Sequence, residues 1–277
     1  MNLKFNLNDS WNKYPVVAFD TETSGAYAIE SEIIELGAVK WVDGKIVDRF
    51  QTLLKPSKNL VESNIRIHGI TNEMVSNAPK MAEKINDFAA FVEGSILLAH
   101  HAPFDLGFLT ISFENHHIKF PSTINLCTSL LSRALIATTN HKLQTLVKEL
   151  ELTGGDAHRA FDDAYACLQV FLKCHEKLSN ELIPDESIQR LLAVQGKSLD
   201  WKNYAVLTAG DPKLLALYHA CAGGKDLTIT YLSGQTKGAL RKITPQGIVR
   251  NPDGDYIQAF CHIDQQRKRF YIDKIIL

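Results

Sequence analysis

VVAFDTETSG, residues 16–25, decides how this chain is read. Residues 16–19 are apolar, β-branched and aromatic, the composition of a buried strand, and the switch at Asp20 to a polar run marks where that strand leaves the core. Side chains at i and i+2 of a strand share a face, so Asp20 and Glu22 are brought together at its polar end. Like charges held that close need a cation. Oxygen ligands in an incomplete protein cage, with room for water and a substrate phosphate, suit Mg²⁺ or Mn²⁺. A D-x-E triplet alone also occurs in ordinary polar turns, so three later segments carry the weight.

Outward from this strand, alternating apolar residues predict strands over 33–42 and 46–54. The Asp43-Gly44 turn makes the first three strands an antiparallel meander. Helical periodicity follows over 81–92, then a short apolar strand over 95–99 and a helix over 105–115. Strand alternating with helix implies an α/β sheet. Further helices are expected over 128–135 and 142–150, and a long one over 160–178 after Gly154-Gly155. The stretch 179–210, with Pro184 and a short helical pattern over 186–194, reads as a connection. Beyond it come a helix over 212–222 and short strands parted by turn signals at Ser233-Gly234, Pro245 to Gly247, Pro252 to Gly254 and Asp264 to Gln266. That spacing indicates a small β-barrel or sandwich.

A chain of 277 residues can bury one full core and a second, smaller one. The start has no apolar signal region and no stretch is long and apolar enough to cross a bilayer, so the expectation is a cytoplasmic protein without membrane contact. Five cysteines (Cys127, Cys167, Cys174, Cys221, Cys261) form no C-x-x-C pair, which argues for reduced, mostly buried thiols and against structural zinc. The net charge of −1 conceals a division: residues 190–277 carry 13 Lys+Arg against 7 Asp+Glu, leaving 17 against 24 before them. An acidic half for cations and a basic half for a polyanion suit an enzyme acting on nucleic acid, although basic faces are often only solvated.

Asp105 lies just after the strand over 95–99, at the start of the next helix, where open α/β sheets place their ligands. Helix-dipole stabilisation alone would also explain it. Asp162 and Asp163 are told apart by helical spacing. From Asp163, positions i+3, i+4, i+7 and i+11 are Ala166, Cys167, Val170 and Cys174, so Asp163 projects from an apolar stripe and Asp162 is expected to face solvent. A buried carboxylate needs a metal or another strong partner. His158, on the loop before that helix, carries an imidazole, the side chain whose unperturbed pKa lies near neutrality, and could take a proton from an attacking water.

DTET at 20–23, HHAPFD at 100–105 and HRAFDDA at 158–164 together resemble the three exonuclease motifs of the DnaQ-like, or DEDDh, 3′-to-5′ exonucleases. That family includes the proofreading subunit of bacterial replicative polymerase. IHGIT at 67–71 and HKLQTLVKELEL at 141–152 also resemble its elements, and the likeness covers roughly residues 14–178. It implies a ribonuclease H-like mixed sheet flanked by helices. Asp20, Glu22, Asp105 and Asp163 would hold two ions, Mg²⁺ or Mn²⁺, with His158 as general base. Thr21, Thr23, His68, His101 and Phe104 would meet the substrate, a single-stranded or frayed 3′ end, DNA being favoured over RNA. A DNA polymerase or repair partner is implied as well. His101 departs from the family's Asn. An exoribonuclease and a non-catalytic nucleic-acid-binding scaffold are the alternatives.

The segment from Asp226 to Ile275, with the helix before it, resembles the WYL family. Tyr231, the Arg241 to Pro245 stretch and the closing RFYIDKI carry the likeness, while the name-giving triplet is partly kept as Asp255-Tyr256-Ile257. It implies a small Sm- or SH3-like barrel that binds nucleic acid or other ligands. Lys237, Arg241, Arg250, Arg267 and Arg269 are candidate phosphate contacts; Tyr256, Phe260, Phe270 and Tyr271 are stacking or core residues. The expected organisation is an exonuclease domain over 1–180, a helical linker over 181–210 and a small β domain over 211–277.

Overall fold

The computed structural model describes residues 5–155, 158–180, 185–234 and 237–277. Pro184 and two residues of the loop before the long helix fall outside them. The first sheet is built on β1 (Val16–Thr23), which pairs antiparallel with β2 (Ile33–Val42), itself antiparallel to β3 (Lys45–Leu53). On the other side β1 runs parallel to β4 (Ile96–Ala99), and β4 parallel to β5 (Ile124–Cys127), giving the order β3-β2-β1-β4-β5. The meander and the mixed sheet are those read from the sequence. β1 runs four residues past its apolar stretch, because Asp20 to Thr23 continue the ladder with β2.

Alternation along β1 divides the core. Val17 and Phe19 face a cluster with α3 (Met81–Val92) and α4 (Pro103–Asn115). Val16 and Ala18 face α5 (Thr128–Leu135), α6 (Leu143–Glu149), α7 (Ala160–Ser179) and α8 (Ile188–Gln195). Two short helices, α1 (Glu62–His68) and α2 (Asn72–Val75), lie between β3 and α3. The segment read as a connection is part of this body: Leu199, Trp201 and Tyr204 are buried in the α3/α4 cluster, and the Trp201 indole donates to Thr123 at 2.9 Å.

After α9 (Pro212–Ala222), five strands form a second, antiparallel sheet: β6 (Leu227–Tyr231), β7 (Leu240–Val249), β8 (Tyr256–Cys261), β9 (Gln266–Tyr271) and β10 (Ile275–Ile276). Its order is β10-β6-β7-β8-β9. No ladder joins β10 to β9 among the described residues, so the barrel closure implied by the WYL likeness is replaced by an open sheet. All five cysteines are buried and free. No described helix is long and apolar enough to cross a membrane.

Candidate active site

Three elements meet at the polar end of β1. Asp20 and Glu22 project on the side of Val16 and Ala18, which is the side α7 covers. Asp20 pairs in register with Gly37 of β2. That glycine has a steric reason: a Cβ there would stand 2.2 Å from the Phe161 nitrogen and 2.4 Å from the Ala160 carbonyl carbon. The first turn of α7 therefore lies directly on β2, and Asp163 comes to the pair on β1. One ligand atom each from Glu22, His158 and Asp163 lie within 4.8 Å of one another.

Asp105, in the first turn of α4, is 3% exposed, and its Oδ1 accepts from the Thr21 hydroxyl at 2.7 Å and the Thr21 N–H at 3.1 Å. The Asp163 carboxylate accepts from Gln144 Nε2 at 3.0 Å and from the His158 N–H at 3.1 Å. No described residue donates a hydrogen bond to Asp20 or Glu22. Burial is the largest influence on all four acids. It holds Asp20 well above its usual range with the charge of Asp105 next, and raises Glu22 to about 8 with Asp163 adding. Asp105 is pushed up to about 7 against the opposing Thr21 bonds, and Asp163 is raised against the His158 N–H. Four acids that resist ionising together, two without a donor, form a site short of positive charge.

His158 sits with φ +63° and its ring is exposed beside this cluster. His68 is buried at 4% exposure. Its Nδ1 accepts from the Ile70 N–H at 3.0 Å, and its Nε2 has no partner among the described residues. His101 has φ +60°, the left-handed region that Asn and His tolerate better than most residues, so its backbone suits either. Its carbonyl accepts from the Phe104 N–H at 3.0 Å. Phe104 is 43% exposed against Phe108. The Thr23 hydroxyl donates to the Gly25 carbonyl at 2.8 Å. Asp162, expected to face solvent, is half-buried and packs so closely on Gly155 that a Cβ there would collide with its carboxyl carbon.

Sequence reasoning passed over Glu35. It lies opposite Glu22 on β2, fully buried, and accepts a two-pronged bond from Arg159 at 2.8 and 3.2 Å and the Ala160 N–H at 3.1 Å. This ties the segment between His158 and α7 to the sheet. Its one signal in the sequence was an acid interrupting the apolar run 33–39 of that strand.

The basic residues of the second sheet are not equivalent. Arg241 is buried and paired with Asp264 at 2.6 Å; Arg250 pairs with Asp255 at 2.8 Å and donates to the Ala205 carbonyl. Lys237, Arg267 and Arg269 are exposed.

An acid cluster at the end of the central strand of a mixed α/β sheet, with a histidine on an adjoining loop, defines a nuclease-type site. Residues 17–171 match the family model described as Exonuclease, and residues 212–276 that of the WYL domain. The chain is 36% identical over 157 residues to the DNA polymerase III subunit epsilon of Treponema pallidum, covering 56% of this chain and 73% of that one. It is 39% identical over 163 residues to the PolC-type DNA polymerase III of Oceanobacillus iheyensis, 58% of this chain but only 11% of that much longer protein. Among solved structures, the zinc-bound E. coli ExoI complex with single-stranded DNA superposes on 89% of this chain and 54% of its own, with a TM-score of 0.56 at 15% identity, a likeness of fold. This chain belongs to the exonuclease family, and its first part is a DnaQ-like exonuclease domain followed by a WYL domain.

Proposed function

We propose that the chain is a two-metal DEDDh exonuclease that removes nucleotides from the 3′ end of single-stranded or frayed DNA, with Asp20, Glu22, Asp105 and Asp163 holding the divalent ions and His158 acting as general base. The observation that carries this is the cluster of four buried acids with raised pKa values, none of which forms an ion pair with a lysine or arginine among the described residues, Arg159 being bonded to Glu35 and easing Glu22 only through its charge. Hard oxygen donors of this kind fit Mg²⁺ or Mn²⁺. Bound there, such ions supply Lewis-acid polarisation of the phosphate and a more acidic water.

The chain's own groups do the remainder. The His158 imidazole accepts the proton of the attacking water, and its backbone N–H, bonded to Asp163, fixes its place. Thr21 holds Asp105 in a single orientation. The buried Nε2–H of His68 is free to donate to the terminal sugar. Phe104 offers an exposed ring against which the terminal base packs. Water adds to the last phosphodiester, the 3′ oxygen of the preceding nucleotide leaves, and a nucleoside monophosphate departs. DNA is favoured over RNA because the sequence relatives are DNA polymerase III proteins, which also makes a replicative polymerase the partner to seek.

With Mg²⁺ or Mn²⁺, the purified protein is expected to shorten a 3′-overhanging oligonucleotide one residue at a time, and Asp20→Ala to abolish this. Equal degradation by the variant would overturn the assignment. End-labelled DNA and RNA run side by side decide the sugar.

A further inference from the structure

The chain doubles back where α4 ends. His117, with φ +56°, turns it so that the Ile118 N–H bonds the Phe113 carbonyl at 2.9 Å, which folds Ile118 to Phe120 beside the end of the helix. Phe120 then lies nearly parallel to Trp201, 22° between planes at 6.4 Å, and edge-on to Phe113 at 6.2 Å. Trp201 is buried and anchors the connecting segment, whose residues 205–209 pass the same end of α4. Glu114 fixes their course, its carboxylate accepting from the N–H groups of Val206, Leu207 and Thr208 and the Thr208 hydroxyl at 2.6–3.1 Å.

Between the helix end and this segment lies a cavity of about 680 Å³, at the opposite end of α4 from Asp105. That volume is in the range of small-molecule sites. Phe113, Ile118, Phe120 and Ala209 form its apolar side. Lys119, from the loop after α4, and Lys202, from the connecting segment, are exposed on it with His117 beside them, and neither lysine forms an ion pair among the described residues. The other permanent charges are spent: Glu114 is saturated by residues 206–208, and Arg250 pairs with Asp255 and donates to the Ala205 carbonyl. Two unspent ammonium groups, an aromatic wall and no free carboxylate select an anion that carries a flat ring.

We propose that this cavity binds a nucleoside monophosphate, with the base against Phe120 and the phosphate between Lys119 and Lys202. Lysine meets phosphate as a flexible point charge, and the face of a base suits an aromatic wall. Choosing the nucleoside over other aryl phosphates rests on the proposed hydrolysis, whose product it is; the cavity and its cations do not depend on that reading. The walls come from the nuclease body and the connecting segment, and the second sheet adds Arg250. An occupant therefore ties residues 202–209 to α4, and the concentration of product is felt at the joint between the two sheets.

Binding is measured by calorimetry with the full chain in chelator, so that the four acids hold no ion to attract a phosphate. The parent is expected to bind dAMP, and to bind adenosine, inorganic phosphate and phenyl phosphate at least roughly tenfold more weakly, since each lacks part of the match. K119Q/K202Q, with both substitutions on exposed positions, is expected to bind dAMP roughly tenfold more weakly for two lost charge-assisted contacts. Ala209→Trp, which fills the cavity and keeps both lysines, should lose binding. In the parent, dAMP slows amide hydrogen exchange of residues 205–209. Equal binding by parent and either variant, no binding of dAMP at about 5 mM, or any of the three partial ligands binding as tightly as dAMP would overturn the proposal. Hydrolysis of a dinucleotide with Mn²⁺, run on the same preparations, separates the two readings. Lysine-dependent dAMP binding in a protein that cuts nothing would refute the exonuclease reading and leave the cavity's ligand standing, whereas cutting without such binding refutes the cavity alone.

Discussion

Glu35 acts on the site at two points, by charge and by tether. Its carboxylate raises the pKa of Asp20 and of Glu22, and its bonds to Arg159 and the Ala160 N–H hold the chain between His158 and Asp163. Glu35→Gln should lower kcat by roughly tenfold or more with little change in KM, because it loosens the general base and not the substrate contacts. It should also move the acidic limb of metal-dependent activity to lower pH, since removing a negative charge lets Asp20 and Glu22 ionise more easily. A purely structural Glu35 would leave that limb in place. The acids themselves tie stability to pH. Unfolded carboxyls titrate near 4, whereas folded Glu22 and Asp105 are pushed up to about 8 and about 7. Raised values mean that the folded state keeps protons the unfolded chain has lost. This contribution is therefore full below about pH 4 and is lost as pH climbs through 7 and 8. In chelator, the melting temperature should fall between about pH 5 and pH 9 more steeply for the parent than for Glu22→Gln; Mn²⁺ should cancel the fall, because deprotonation exposes its ligands. Parallel curves for the two proteins in chelator would contradict the raised Glu22 value.

Among the elements, α7 decides whether a site exists at all. Its apolar stripe, legible as Ala166, Cys167, Val170 and Cys174, is buried as read, and that burial aims Asp163 at the sheet. How near it comes depends on Gly37, where the absent Cβ leaves room for the Ala160–Phe161 backbone. Gly37→Ala should push the helix start off β2 and carry Asp163 away from Asp20, costing about 1–3 kcal/mol of stability and on the order of 100-fold in kcat. Retention of full activity with an unchanged melting curve would show that α7 has slack there. The same physics explains what the sequence disclosed. Periodicity placed α3, α5 and α9 to the residue, because their apolar faces meet a core and their ends carry clear breaks. It missed α1 and α2, of seven and four residues, which are too short to repeat a pattern. Asp20, Glu22 and Asp163 were legible because local spacing dictates which way each points, whereas Asp105 and His158 were read from their places at a strand–helix junction and on a loop, together with the family resemblance. Glu35 was not, since its partner Arg159 lies 124 residues on and no local rule joins them. Nor could Arg241 and Arg250 be separated from Arg267 and Arg269 before their partners Asp264 and Asp255 were seen.

At the scale of the whole molecule, α4 links the two sheets. Its first turn presents Phe104 and Asp105, and roughly 13 Å along the same helix Glu114 grips residues 206–208, just before α9 begins the second sheet. A carboxylate receiving three backbone N–H groups and a hydroxyl is a strong clamp, because each bond is charge-assisted and the Val206 donor is buried. Replacing it with a methyl group strands those donors. Glu114→Ala should therefore cost about 2–4 kcal/mol and open residues 206–210 to protease before the nuclease body unfolds. Because Asp105 keeps its Thr21 partner at the other end of α4, hydrolysis of a dinucleotide should persist. Limited proteolysis mapped by mass spectrometry, run beside that assay, separates the outcomes. Unchanged protection of residues 206–210 would show that the second sheet is held by its packing on Tyr27 and Ile111 and not by the clamp, whereas loss of dinucleotide hydrolysis would mean that the strain reaches Asp105 through the helix.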